Sequence, residues 1–452
     1  MTSLVLLNGC LRVDDNPLLS QARGKAAALV IIDQQAYFGR QYGLFRSNLL
    51  RLRAQLRAIH RLAQQLAQRQ IGLIIRFGDT HSQLCELALK LGAEQLLASE
   101  PTAPDEYRAL QHLPASVKLQ LIDGNSLLSQ QLRPDLATLS DRFTSFRKKL
   151  EPLLLVTAAE PEHTRAANWL SPDQVAGLSQ QSVLQQWLGQ TAATSWREGC
   201  WDEGSAHARL HYFIWQGQHI LHYKDSRNAL CGTDYASFFS TPLSLGTLSV
   251  RRCWQQIEQF EQQVKANDST YWLKFELLWR EFFRWQMRKY QARWFSKNGI
   301  AGPADFSSPR LTATQKQRFA AWCAGDTGVP FIDANMQLLN QTGLMSNRGR
   351  QNAASYLIYD LELDWRLGAA YFEQRLLDYD CASNWGNWAY IAGVGNSEAR
   401  AFNPIKQALW YDPNADFVRQ QLPQISAAGK AAHRPAPHAR LLPQWRSWLD
   451  EL

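Results

Sequence analysis

At 452 residues the chain exceeds one ordinary domain and can bury a large core, so two domains are the default expectation. Hydrophobic residues make up 45% and charged ones 19%, a globular balance that excludes a disordered or fibrous chain. Forty-eight Lys and Arg against 40 Asp and Glu leave a net charge of +8, which suits an anionic partner such as nucleic acid. The 7 cysteines are scattered and form no CxxC or Cys/His spacing, which argues against a disulfide framework and a zinc site, so no metal is expected. Met1 is followed directly by a strand pattern, and no long apolar run occurs. The expectation is a soluble, cytoplasmic monomer with reduced thiols and no membrane partner.

In chain order, short apolar runs at Leu4 to Leu7, Ala27 to Ile32, Gly72 to Arg76, Glu94 to Ala98 and Leu119 to Ile122 read as strands. Amphipathic stretches at Leu44 to Gln68 and His81 to Leu91 lie between them. The βαβα alternation predicts a Rossmann-like parallel sheet over residues 1–125. No GxGxxG follows the first strand, where Asn8, Gly9 and Cys10 stand instead, so a dinucleotide is not expected there by the usual route. Residues 126–195 accumulate proline and polar residues and read as an interdomain linker running over the surface. From 196 to 426 nearly every segment shows three- and four-residue apolar spacing, which predicts an all-α domain. Its segments include Leu248 to Ala266, Tyr271 to Tyr290, Thr312 to Ala324, Ile332 to Thr342, Gly349 to Leu361 and Trp365 to Leu377. Residues 427–452, rich in Ala, Pro, His and Arg, read as a partly mobile tail.

The stretch Leu344 to Asn396 is chemically the densest. It sets Asn347, Arg348 and Arg350, then Asp378 and Asp380, and an aromatic run Trp385, Trp388 and Tyr390, into an otherwise apolar helical pattern. Charges in such a segment want partners. An Arg paired with an Asp offers a fixed fork and a fixed carboxylate to a planar heterocycle, and a flavin fits that description. The 17 tryptophans are an excess that points to stacking or electron transfer. On Tyr271 to Tyr290, Trp272, Glu276, Trp279 and Phe283 share a face, while Arg280, Arg284 and Arg288 form a basic stripe.

Several segments resemble the photolyase/cryptochrome flavoproteins, with wording similar to the DASH cryptochromes. They are YKDSRNAL from Tyr223, ANDSTYWLKFELLWREFFRW from Ala266, TGVPFIDANM from Thr327, TGLMSNRGRQNAASYL from Thr342, and DYDCASNWGNWAYIAGVGN from Asp378. DRFTSFRKKLEP in the linker adds to them. The resemblance implies an α/β Rossmann-like N-terminal domain followed by an all-α FAD-binding domain. It places FAD against Tyr223, Ser237, Ser240, Glu276, Arg280, Asn347, Arg350, Asp378, Asp380 and Asn384, with Asn384 beside the flavin N5. It implies light-driven repair of cyclobutane pyrimidine dimers, mainly in single-stranded DNA, with a blue-light photoreceptor as the alternative. Glu276, Trp279, Gln351 and Tyr390 would receive the flipped dimer, and Arg284 and Arg288 would face DNA.

Trp388 and Trp365 match the first two members of the family's electron relay. The third position falls on Thr312, which leaves Trp322, Trp294 or Tyr290 for the outer role. Phe238 stands where the family usually has Lys or Arg in the flavin-phosphate loop. LLNGCLRVDD replaces the family's opening WFRxDLR-type segment. An antenna folate, 5,10-methenyltetrahydrofolate, would contact Glu106.

Overall fold

A computed structural model describes residues 1–128, 132–154, 167–189 and 201–452. Parts of the predicted linker, 129–131, 155–166 and 190–195, and the first residues of the predicted all-α domain, 196–200, lie outside them. The chain divides into two compact units. The first comprises Met1–Gly39, Phe45–Leu221 and Ser237–Lys289, and the second Arg40–Leu44, His222–Ala236 and Tyr290–Leu452. The first helices of the predicted all-α domain therefore group with the sheet.

In the first unit the strands run Leu73–Gly78, Gly24–Asp33, Thr2–Leu6, Gln95–Ser99 and Lys118–Ile122 from one edge to the other, all parallel. Val30 and Ile32 pack into one apolar layer and Leu29 and Ile31 into the other. Burial on both faces is why these strands read as unbroken apolar runs and not as alternation. The predicted linker holds more structure than a surface connection. Leu73–Gly78 pairs with Ala28–Asp33, and Ala167–Trp169 lies along the same edge beside Gly24–Ala26 as a further parallel strand. An unfilled strand edge would leave backbone groups without partners. The helix Phe143–Leu150 buries Phe143, Phe146 and Leu150.

The opening segment, which departs from the family pattern, is a structural tie. Arg12 is 0% exposed, and its guanidinium donates to Asn125 Oδ1, Gly246 O, Asp15 O and Gly124 O. Asp15, also 0% exposed, accepts from Arg251 at 2.8 and 3.0 Å and from Ser249. Burial alone would raise the Asp15 carboxyl, yet the Arg251 guanidinium holds it below its ordinary value. Asp14 takes Arg252 in the same way, and Glu203 accepts from the Val13 and Asp14 amides. Gly246 has φ +74, and a Cβ there would meet Gly9 O at 1.8 Å, so only glycine allows this close approach.

The second unit is helical: Ala313–Ala324, Pro330–Thr342, Asn347–Ser355, Trp365–Arg375, Cys381–Ala392, Pro404–Tyr411 and Asp416–Gln421. Asn347–Ser355 runs on into a wider turn, Tyr356–Asp360. The predicted mobile tail is instead packed. Ala432 joins a core cluster with Phe331, Phe417 and Val418. His433 Nε2 donates to Asp412 O at 2.6 Å, and Tyr356 Oη to Arg440 O at 2.9 Å. Arg440 Nε donates to Asp360 O, and the Leu442 amide to Asp360 Oδ1. Backbone groups satisfied in this way hold a segment whose composition alone suggests mobility.

Candidate active site

The first unit carries one group of expected site residues on the long helix Asp268–Tyr290. Glu276 Oε1 accepts from Trp272 Nε1 one turn earlier, at 3.2 Å, so the carboxylate is steered by an indole of its own helix. Trp279 has Phe143 stacked on one face at 3.7 Å and 10°, with Phe283 at 5.6 Å and 28°. Phe143 thus covers a face on which the resemblance would stack a base. Arg280 donates to Asn125 O and Leu243 O, so it ties the segment after the last sheet strand to a short helix of its own unit.

Arg284 and Arg288 are corrected by the structure. They are 6% and 3% exposed and surround Asp123, Arg288 at 2.6 Å and Arg284 at 3.6 Å. Arg288 also donates to Glu100 O and Pro101 O. Burial would raise the Asp123 carboxyl, but the two guanidinium groups bring it down to about 2. These arginines neutralise a buried acid at the end of a strand, and no exposed basic stripe forms from them. Glu106 is also engaged within the fold, since its Oε2 accepts from the Thr102 and Ala103 amides and closes the first turn of Pro104–Ala109. In the expected phosphate loop, Ser237 Oγ accepts from the Phe239 amide, and Ser240 begins the short helix Ser240–Leu245.

The second unit brings together the predicted charge pair. Arg350 Nη2 reaches Asp378 Oδ1 at 3.0 Å and Oδ2 at 2.9 Å, while its Nε donates to Met345 O. The Asp378 side chain is 3% exposed and that of Arg350 29%, so the pair is half-open on the guanidinium side only. Asn384 is 7% exposed, and its NH₂ donates to Ala369 O at 3.0 Å, which fixes the amide with its oxygen at the opposite corner. Asp380 caps Cys381–Ala392 by accepting from the Ser383 amide, and Asn347 opens its helix behind the Ser346 cap. Tyr223, 8% exposed, begins the short helix Tyr223–Ser226. Gln351 Oε1 accepts from Arg348, whose other arm reaches Asn228. Arg400 lies over the Tyr390 ring, 4.8 Å from its centre.

The aromatic residues separate into two contacts. Trp388 meets Trp322 edge-on at 6.1 Å, and Trp365 meets Trp385 at 5.8 Å. Trp388 also lies against Gly368, one turn along the helix that Trp365 begins: a Cβ on that glycine would come within 2.1 Å of the indole. Trp322 is 0% exposed and Trp294 1%, so neither reaches solvent as the outer end of a relay must; Tyr290 is half-buried. Thr312 does something else. It N-caps Ala313–Ala324 in a reciprocal pair with Gln315.

Comparison with known proteins decides the family. The domain described as the FAD binding domain of DNA photolyase matches residues 272–445, and that described as DNA photolyase matches residues 3–164. Cryptochrome DASH of Natronomonas pharaonis is 38% identical, the alignment covering 96% of this chain and 93% of that protein. The chain belongs to the cryptochrome DASH branch of the photolyase/cryptochrome family. Cryptochrome DASH of Danio rerio is 37% identical over 96% of this chain and 85% of its own. The crystal structure of the Synechocystis cryptochrome superposes with a TM-score of 0.83 at 31% identity, covering 96% of this chain and 91% of that one. A bacterial class III photolyase from Agrobacterium tumefaciens shares the fold, with a TM-score of 0.78 at 24% identity over 100% of this chain and 91% of that one. As a DASH family member the chain carries the family's FAD-binding domain, and among its described residues no helix is long and apolar enough to cross a membrane.

Sequence reasoning missed the Arg12–Asp15–Arg251 and Asp123–Arg288 clusters. The run RVDD directly after the apolar Leu11 was the available signal for the first. It also missed Asn335, 0% exposed, whose amide donates to Phe331 O beneath Gly349.

Proposed function

We propose that the chain is an FAD-dependent, blue-light-driven photolyase acting on cyclobutane pyrimidine dimers, mainly in single-stranded DNA. The observation that carries this reading is the Arg350–Asp378 pair. A carboxylate 3% exposed is costly to bury unless its partner is in place, and here both of its oxygens sit on one guanidinium nitrogen. The pair therefore presents a fixed donor edge to a heterocycle, with the carboxylate buried behind it. Asn384, held by Ala369 O, adds a neutral amide oxygen that receives an N–H without taking a full proton. These donors and acceptors fit a flavin. Arg350, Asp378 and Asn384 would hold the flavin, which when bound and reduced would supply light-driven one-electron donation.

The remaining residues handle the substrate. Glu276, steered by Trp272, is assigned the hydrogen bonds to the lesion bases. Trp279 and Tyr390, each on its own unit, are the aromatic rings assigned to stacking on lesion bases. A base must leave its stack before chemistry, and in a single strand that step costs less. Trp388 is the first indole of the relay and Trp365 the second.

A second reading has one observation in its favour. Phe143 already occupies a face of Trp279, which suits a photoreceptor that binds FAD and DNA without efficient repair. The deciding experiment is blue-light repair of a thymine-dimer oligonucleotide by flavin-reduced protein, single-stranded against duplex and dark against illuminated. Light-dependent turnover that favours single strands supports the photolyase. No turnover from flavin-loaded protein refutes it in favour of the photoreceptor.

A further inference from the structure

Phe238 removes from the Ser237–Ser240 stretch the cation that the family's flavin-phosphate loop usually carries. Its backbone makes the substitution more telling. Phe238 has φ +58, a left-handed conformation in which a bulky side chain is held at a cost. That strain places an aromatic ring beneath a different cation. Arg209, on the helix Glu203–His211, sets its guanidinium carbon 5.3 Å from the centre of the Phe238 ring, 5.4 Å from Tyr212 and 5.6 Å from Phe213. Its Nε donates to Ser237 O at 3.1 Å. Three rings and one backbone carbonyl orient a planar guanidinium, whereas a lysine on the loop would have remained a mobile point charge.

We propose that Arg209 supplies the positive charge this loop presents to the pyrophosphate of FAD, with Phe238 as the platform that positions it. The hydroxyls of Ser237 and Ser240 stand on the same stretch. The cation stands on the neighbouring helix and is held against the loop backbone. This inference rests on the FAD reading of the site.

The test is equilibrium binding of FAD to apo-protein at low and high salt, with riboflavin as the probe that lacks phosphates. Wild type, Arg209→Met and the double variant Arg209→Met/Phe238→Arg are compared. Methionine keeps an unbranched stem against the rings and removes the charge. Loss of a charge-assisted contact raises the FAD dissociation constant about tenfold or more. It also flattens the salt dependence and leaves riboflavin affinity unchanged. Returning a cation to the loop restores FAD affinity to within about threefold of wild type. Wild-type FAD affinity and salt dependence in Arg209→Met would overturn the proposal. So would equal loss of FAD and riboflavin with no recovery in the double variant, since that pattern marks a packing role. Wild-type protein that binds no FAD would overturn the cofactor reading itself, and shows before any variant is made.

Discussion

Gly368→Ala isolates the contact on which the position of Trp388 depends. In the interior of the helix Trp365–Arg375, alanine is ordinarily better than glycine by about 0.5–1 kcal/mol. Here the added Cβ would stand 2.1 Å from Trp388 Cη2, 2.4 Å from Cζ3 and 2.9 Å from Cζ2. Carbon atoms normally approach to about 3.5–4 Å, so ring or helix must move by about 1 Å or more. Overpacking of this kind costs about 1–3 kcal/mol, which exceeds the helix-propensity gain. A net destabilisation of about 1–2 kcal/mol is expected from urea denaturation. The three clashing atoms all belong to the benzo ring of the indole, which Trp388→Phe removes. In that background Gly368→Ala becomes neutral or stabilises by up to about 1 kcal/mol, so the double-mutant cycle shows a coupling of at least about 1 kcal/mol. Equal effects of Gly368→Ala in both backgrounds, within about 0.5 kcal/mol, would refute the contact.

Trp388→Phe abolishes photoreduction of oxidised flavin and leaves FAD binding intact; an unchanged photoreduction rate would remove Trp388 from the relay. Arg288→Met leaves Asp123 buried with only the more distant Arg284, and costs about 3–5 kcal/mol of stability, while the folded protein keeps its salt dependence of single-strand binding. A small stability loss with a salt slope reduced by about one unit would return Arg288 to the DNA face. Burial pushes the Asp360 carboxyl from 3.8 up to about 7, so the folded chain holds a proton that the unfolded chain releases. Stability from this group is therefore full at low pH and falls as pH rises from about 4 to 7, and Asp360→Asn flattens that part of the profile. Parallel profiles for wild type and variant would show that Asp360 does not contribute.

The strands of the sheet were legible because burial on both faces leaves continuous apolar runs, and the helices because their core faces repeat every three to four residues. Arg350 and Asp378 were legible as a pair because two opposite charges in one apolar pattern must meet something. Arg284 and Arg288 were misread for a related reason. Their four-residue spacing says which side of the helix they share but nothing about Asp123, a distant partner in the sequence that turns this side inward. The strand Ala167–Trp169 is too short to carry a periodicity, and its existence follows from the length of the strand it borders. In the tail, a composition of Ala and Pro hides the backbone hydrogen bonds that fix it. Thr312 shows the reverse case: as a failed relay position it was puzzling, yet Thr312 with Gln315 is a readable helix start.

The arginines that meet Asp14, Asp15 and Asp123 bear on how such a chain can be inherited. Arg251, Arg252 and Arg288 lie in the part of the sequence that looks like a separate helical module, and each meets an acid from the sheet region of the same compact unit. A recombination crossover between the two would leave several buried charges facing strangers. Exchange of the sheet region alone therefore requires the matching arginines to travel with it. A helical fragment expressed from residue 196 onward is expected to misfold for want of three carboxylates.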